Sequence, residues 1–269
     1  MRHLDCAITS LLMSSELQNI FIRIEYDGAP FAGWQRQTGK PTVQGEIETL
    51  LREFTGTKVV LYGASRTDSG VHARGQAANF YVPKRMEADR WAYFLNSGLP
   101  YSIRILSSRL VPPAFHAQKK AVSKLYEYRL IHRNSRSALD KISAFHIKPL
   151  NWDEIRRAMP YFVGTHDFKS FQTAGGTVKT TIRTVTRFEL FEEGPGIKRF
   201  EIEGKGFLKQ MVRNIIGLLL EIGEGKRKVE EIPAIFKAKD RRAAGRTADA
   251  EGLCLVRVNY EGEEFAPLS

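Results

Sequence analysis

The feature that most limits what this chain can fold into is an order of apolar periodicities that runs twice, once on each side of Pro112-Pro113. The first run begins with Ile20 to Tyr26, β-branched and partly alternating, and stopped by Asp27-Gly28. Thr42 then reads as an N-cap for a helix to about Phe54, with Val43, Ile47, Leu50 and Leu51 on one face. Strands over Val59 to Tyr62 and Ala77 to Val82, a helix over Glu87 to Asn96 and a strand over Ile103 to Leu110 complete the run. The second run places a strand at Lys124 to Ile131 and a helix at Asp153 to Phe162. Strands at Val185 to Phe191 and Lys198 to Glu203 follow, split by a Gly-Pro-Gly turn. Helices over Phe207 to Glu221 and Val229 to Lys237 lead to a last strand at Leu253 to Tyr260. The order implies an α+β protein of two similar halves, residues 18–112 and 113–269. Each half is a mixed, largely antiparallel sheet with helices on one face, and the halves frame a cleft.

Residues 1–17 read as a loosely ordered extension. Asp5 interrupts the beginning of what would otherwise resemble a signal peptide, and no clean cleavage site follows. No run approaches the roughly 20 apolar residues of a membrane span. Cys6 and Cys254 are too few for a disulfide framework or a zinc site, and a reducing cytoplasm is the simplest compartment. His72, His116 and His166 are widely spaced and show no ligand pattern, so no metal is expected. Lys and Arg number 41 against 30 Asp and Glu, a net charge of +11 that favours a polyanionic partner.

The segment that carries chemistry is Arg66-Thr67-Asp68-Ser69-Gly70-Val71-His72-Ala73. Asp68 follows a strand and sits in a loop bracketed by Gly63 and Gly70, where a tight turn presents a side chain. On its own, Thr-Asp-Ser-Gly is a turn signal, and Asp68 serves as readily in an Asx-turn. A carboxylate held ionised by Arg66 would equally be a nucleophile.

This run resembles the signature of the tRNA pseudouridine synthase A family, usually Gly-Arg-Thr-Asp-Ala-Gly-Val-His-Ala, with Ser65 and Ser69 in place of the usual Gly and Ala. The resemblance extends in order from Ile20 to Tyr260. It takes in Tyr26-Asp27-Gly28, Phe31 to Gln35, Thr42 to Glu46, Phe115-His116-Ala117, Lys124 to Tyr128, Gly164 to Phe168, Phe207-Leu208, Met211 to Asn214 and Gly252-Leu253. Gln118 and Asp249 stand where the family often has Arg and Pro.

The resemblance implies Asp68 as the catalytic nucleophile, Tyr126 as the ring that stacks on the target base and handles protons, and Arg213 as the ion-pair partner of Asp68. Arg66 joins them at the catalytic centre. Leu253 packs against the base, and His72, Lys124 and Lys209 fall among the substrate-binding residues. Read without the family, Tyr126 is one face of a strand beside Tyr128. Arg213 is either a solvated helix charge or, given Met211, Val212, Ile215 and Ile216, a partly buried one that needs a carboxylate. The implied reaction isomerises uridine to pseudouridine in the anticodon stem-loop of tRNA, at tRNA positions 38–40. It involves no net redox change and needs no cofactor. The implied partners are tRNA and a second copy of the chain, a homodimer, with no membrane. Asp68 either attacks covalently or promotes proton removal from the sugar. Two other readings compete. One is a non-catalytic tRNA-binding or tRNA-folding protein on the same fold. The other is a carboxylate hydrolase or glycosylase, which would need a second carboxylate that the motif does not supply.

Overall fold

Ile20, Ile22 and Ile24 have no solvent exposure, and the strand that carries them, β1 (Leu17–Tyr26), lies inside the sheet with a neighbour on each edge. The computed structural model describes residues 17–135, 138, 140, 142–175 and 178–262. Of the expected N-terminal extension, residues 1–16 lie outside the described residues, and Leu17 is already the first residue of β1.

Helix α1 (Val43–Thr55) follows its sequence signals closely. The Thr42 Oγ1 accepts from the Gly45 N–H at 3.2 Å, Gly56 ends the helix in the left-handed region at φ 70°, and Val43, Ile47 and Leu51 are buried. Then come β2 (Tyr62–Gly63), β3 (His72–Pro83), α2 (Arg90–Gly98) and β4 (Ile103–Val111). The later part of the chain supplies β5 (Ser123–His132), β6 (Ala144–His146), α3 (Trp152–Ala158), β7 (Gly164–Asp167), β8 (Ile182–Gly194) and β9 (Ile197–Gly204). Helices α4 (Met211–Gly223) and α5 (Ile232–Ala238) and strand β10 (Leu253–Asn259) finish it.

The ten described strands form one sheet in the order β4-β1-β3-β10-β5-β9-β8-β7, with β2 beside β3 and β6 beside β5. The order contains the same arrangement twice. β1 lies between β4 and β3, with β2 outside β3. Likewise β5 lies between β10 and β9, with β8 outside β9. Within each arrangement the pairs are antiparallel. The two arrangements share one sheet because β10 runs parallel to β3, pairing Cys254 with His72 and Leu255 with Ala73. The Asp68 loop enters β3 at this seam.

Several element limits differ from the sequence expectation, for local reasons. The helix expected from Phe207 begins only at Met211, because Gln210 adopts φ 58° and turns the chain just before it. Pro160 divides the helix expected over 153–162, so α3 stops at Ala158 and a 3-10 turn (Met159–Phe162) follows. The strand expected from Val59 is confined to Tyr62–Gly63.

Helix α4 is the most deeply buried helix described, with Met211, Ile215, Ile216, Leu218 and Leu219 fully enclosed. Its Gly217 allows a loop to cross at contact distance, since an added Cβ would lie 2.0 Å from the Arg246 carbonyl oxygen. That crossing brings residues 245–248 onto the helix turn that bears Arg213.

Candidate active site

The loop between β2 and β3 is fastened at its root and at its tip. At the root, the Ala64 N–H donates to the Ala77 carbonyl at 2.7 Å. The Gln76 amide takes both backbone groups of Ser65, accepting from its N–H at 3.2 Å and donating to its carbonyl at 2.8 Å. At the tip, the Trp34 N–H donates to the Thr67 carbonyl at 3.1 Å, and the Ser69 hydroxyl donates to the Phe31 carbonyl at 3.2 Å. The Tyr26 and Thr67 hydroxyls are 2.7 Å apart. The approach is close enough to require Gly33, whose φ is 104° and whose added Cβ would meet the Thr67 carbonyl oxygen at 2.7 Å. The segment from Tyr26 to Trp34 is therefore a seat for the loop, and Asp68 projects from a backbone with little freedom.

Asp68 is partly buried, and its Oδ2 lies 3.6 Å from Nη1 of Arg213 on α4. The Arg213 side chain is itself anchored, because its Nε donates to the Ala248 carbonyl at 2.8 Å. Meanwhile the Ala248 N–H donates to the Arg213 carbonyl at 3.0 Å. Burial pushes the Asp68 carboxyl above its ordinary range, while the charges of Arg213 and, more weakly, Lys209 pull it back. Burial and the two cations therefore act on this carboxyl in opposite directions.

Tyr126 lies on β5, buried, with its hydroxyl 2.7 Å from the Ser65 hydroxyl at the loop root. Phe207 stands edge-on to its ring at 5.2 Å between centroids. Burial drives the phenol far above its usual range and the charge of Asp68 adds to this, so Tyr126 stays protonated at neutral pH.

The remaining sequence candidates fall into two sets. Leu253 opens β10 opposite Tyr128 and precedes the residue paired with His72, which puts it at the seam. Lys209 lies close enough to Asp68 to act on its charge, though its Nζ donates to the Ala174 carbonyl at 2.9 Å. Arg66, by contrast, is exposed, and no ion pair joins it to Asp68 among the described residues. The partner of the carboxylate comes from α4 instead. His72 is buried, with Nδ1 3.1 Å from both the Gly28 N–H and an Asp27 carboxylate oxygen, a contact between the loop and its seat. Lys124 is half-buried and donates to the Ala64 carbonyl at 2.8 Å.

Sequence reasoning missed Gln76, the Ala248 carbonyl and the hub at Asn214. The Asn214 Oδ1 accepts from Arg241 at 2.8 Å and from the Thr247 hydroxyl at 2.7 Å, tying the 241–248 loop to α4. Arg241 is thus engaged inside the fold, and Arg242 is paired with Asp240. The one available signal was a polar residue, Asn214, in the first turn of a largely apolar helix. Among the described residues no three His, Cys, Asp or Glu side chains are grouped to hold a metal ion. No described helix is long and apolar enough to cross a membrane.

A family model described as tRNA pseudouridine synthase matches residues 22–118 and 158–261, which include the Asp68 loop and Arg213. This chain belongs to the tRNA pseudouridine synthase family. It is 46% identical over 245 residues to tRNA pseudouridine synthase A of Acetivibrio thermocellus, a match covering 91% of this chain and 100% of that one. It is 42% identical over 249 residues to tRNA pseudouridine synthase A of Maridesulfovibrio salexigens, with 91% of each chain covered. A third relative, tRNA pseudouridine synthase A 2 of Clostridium perfringens, is 40% identical and covered along its full length. As a member of this family the protein is an isomerase. The matched residues include a constrained carboxylate, Asp68, and a fixed guanidinium, Arg213.

Proposed function

We propose that this synthase converts uridine to pseudouridine in the anticodon stem-loop of tRNA, with Asp68 as the nucleophile. The observation that carries the reading is the Asp68–Arg213 pair at the β3–β10 seam, with Tyr126 fastened to the same loop. Pseudouridine formation breaks the N1–C1′ bond, turns the uracil and joins C5 to C1′. In this reading the Asp68 carboxylate bonds to C1′ as N1 leaves with the electron pair. The base turns against the Tyr126 ring, C5 displaces the carboxylate from C1′, and the proton on C5 is lost while N1 gains one. No electron enters or leaves overall. Tyr126, protonated at neutral pH, cannot start as a phenolate base. Its hydroxyl relays the C5 proton only in concert with an acceptor, for which the departing Asp68 carboxylate or a water serves.

A uridine stacked in a stem must leave it to reach this site, so extrusion precedes chemistry. Exposed Arg66, two residues before Asp68, and Lys209, near enough to act on its charge, supply cations for the RNA in this reading. The reading includes a homodimer with one tRNA spanning both subunits, and work in the cytoplasm. Sedimentation of the protein with and without tRNA tests the dimer.

The deciding experiment is tritium release from tRNA labelled at uracil C5, with wild type beside Asp68→Ala and Asp68→Asn. The expected result is release by wild type, lost in both variants while tRNA binding persists. Binding without release by wild type, across several unmodified tRNAs, would favour a tRNA-folding protein. Release that survives both substitutions would remove Asp68 from the reaction.

A further inference from the structure

Lys124 and Tyr126 are two residues apart on β5, so their side chains leave the same face of the strand. They reach consecutive residues of the catalytic loop. The Lys124 ammonium donates to the carbonyl of Ala64 at 2.8 Å, and the Tyr126 hydroxyl meets the Ser65 hydroxyl at 2.7 Å. Gln76 already occupies the Ser65 backbone from β3. Every polar group of Ser65 is thereby engaged, and the loop that begins there carries Asp68 three residues later.

We propose that Lys124 and Ser65 are positioning residues that fix the root of the Asp68 loop from strand β5. The proposal rests on Asp68 being the reacting carboxylate, as above. A lysine at this place reads from sequence as a phosphate contact, and its surroundings argue otherwise. Its ammonium is committed to a backbone carbonyl in a half-buried setting, and burial, with Arg183 nearby, brings its pKa down to about 8. A cation kept in such a place at a cost in hydration serves the group it touches, through a charge-assisted hydrogen bond stronger than a neutral one. Ser65 stands where the family signature usually has glycine, which has no hydroxyl to offer Tyr126. The bond between the two hydroxyls fixes how the Tyr126 ring lies relative to the loop.

The test separates loop placement from RNA grip. Lys124→Met keeps the stem and removes the donor, Lys124→Arg restores one, and Ser65→Ala removes the hydroxyl with little change in volume. Each variant is assayed for kcat at saturating tRNA, for tRNA Kd over a range of salt, and for Tm. Loss of loop placement lowers kcat by about 10- to 100-fold in Lys124→Met. Kd and its salt slope stay at wild-type values, Lys124→Arg recovers part of the rate, and Ser65→Ala falls in the same direction. A raised Kd with the salt slope reduced by about one and kcat unchanged would make Lys124 a phosphate contact and overturn the proposal. Wild-type kcat in Ser65→Ala would overturn it for Ser65, and that variant carries the test if Lys124→Met does not fold. Failure of the underlying reading looks different, since wild type would then release no tritium, or Asp68→Ala and Asp68→Asn would still release it.

Discussion

Arg213 reaches Asp68 with one end of its guanidinium while the other end is held by the Ala248 carbonyl, at 3.6 Å and 2.8 Å respectively. The two residues sit far apart in the chain, on α4 and on the β2–β3 loop. The fork geometry matters here, because a lysine ammonium offers a single point of charge with no second, rigidly spaced donor.

Replacing Arg213 by Met should lower kcat by roughly 100-fold and move the acid limb of the pH–rate profile upward. Burial raises the Asp68 pKa and Arg213 lowers it, so removing the arginine leaves burial opposed only by Lys209. The carboxyl then takes up its proton at a higher pH, and activity is lost earlier as pH falls. Arg213→Lys should return the acid limb most of the way and recover only part of the rate. Single-turnover rates across pH for the three proteins check this. An unmoved limb in Arg213→Met would mean the guanidinium does not act on the charge of Asp68.

Tyr126→Phe keeps the ring and loses the contact with Ser65. With the phenol protonated at neutral pH, the ring can stack without its hydroxyl, while proton handling cannot proceed. The expected result is near-normal tRNA affinity with kcat lowered by about 10² to 10⁴, the span typical of a proton-transfer group. Tyr126→Leu should lose affinity for the extruded base as well. Binding and tritium release measured side by side distinguish the two effects.

At Gly33 the change to Ala combines a disfavoured φ of 104° with a Cβ placed 2.7 Å from the Thr67 carbonyl oxygen. Backbone strain alone costs about 1–3 kcal/mol. The urea midpoint should fall accordingly, and activity should fall further than the unfolded fraction explains, because the atoms displaced belong to the Asp68 loop. Equal losses of stability and activity would show that the seat does not set the position of Asp68.

Cys254 should be inert in the folded protein. It is 3% exposed, and burial, with Glu127 adding and Arg74 opposing, pushes its thiol up to about 12. In a Cys6→Ser background, a disulfide reagent at pH 8 is expected to find no reactive thiol until denaturant is added. Rapid native labelling would show that the β3–β10 seam opens.

The parts of this fold that local sequence specifies were the parts legible in it. Thr42 marks the start of α1, and the alternation of Ile20, Ile22 and Ile24 marks β1, because capping and pleating act between near neighbours. Gln210 shows the limit. No residue-type preference announces a left-handed glutamine, so the start of α4 was misplaced. At the site, the motif around Asp68 and the buried context of Arg213 pointed to a pair that the structure does form. Arg66 was expected to serve the carboxylate because it is two residues away, yet proximity along a turn says nothing of direction. Ser65 showed only as a departure from the usual Gly, and Gln76 and Ala248 left no trace, since their roles depend on a hydroxyl, an amide and a backbone carbonyl meeting partners from other parts of the chain.

The parallel pairing of β10 with β3 also orders events during synthesis. By the time Leu253 leaves the ribosome, the Asp68 loop, Tyr126 and Arg213 have all been made. Until then β3 at His72–Ala73 and β5 at Ser123–Tyr128 lack the partner that β10 supplies. A nascent chain paused before that point holds Asp68, Tyr126 and Arg213 together with two adhesive margins. Its last strand covers both margins and ends the hazard.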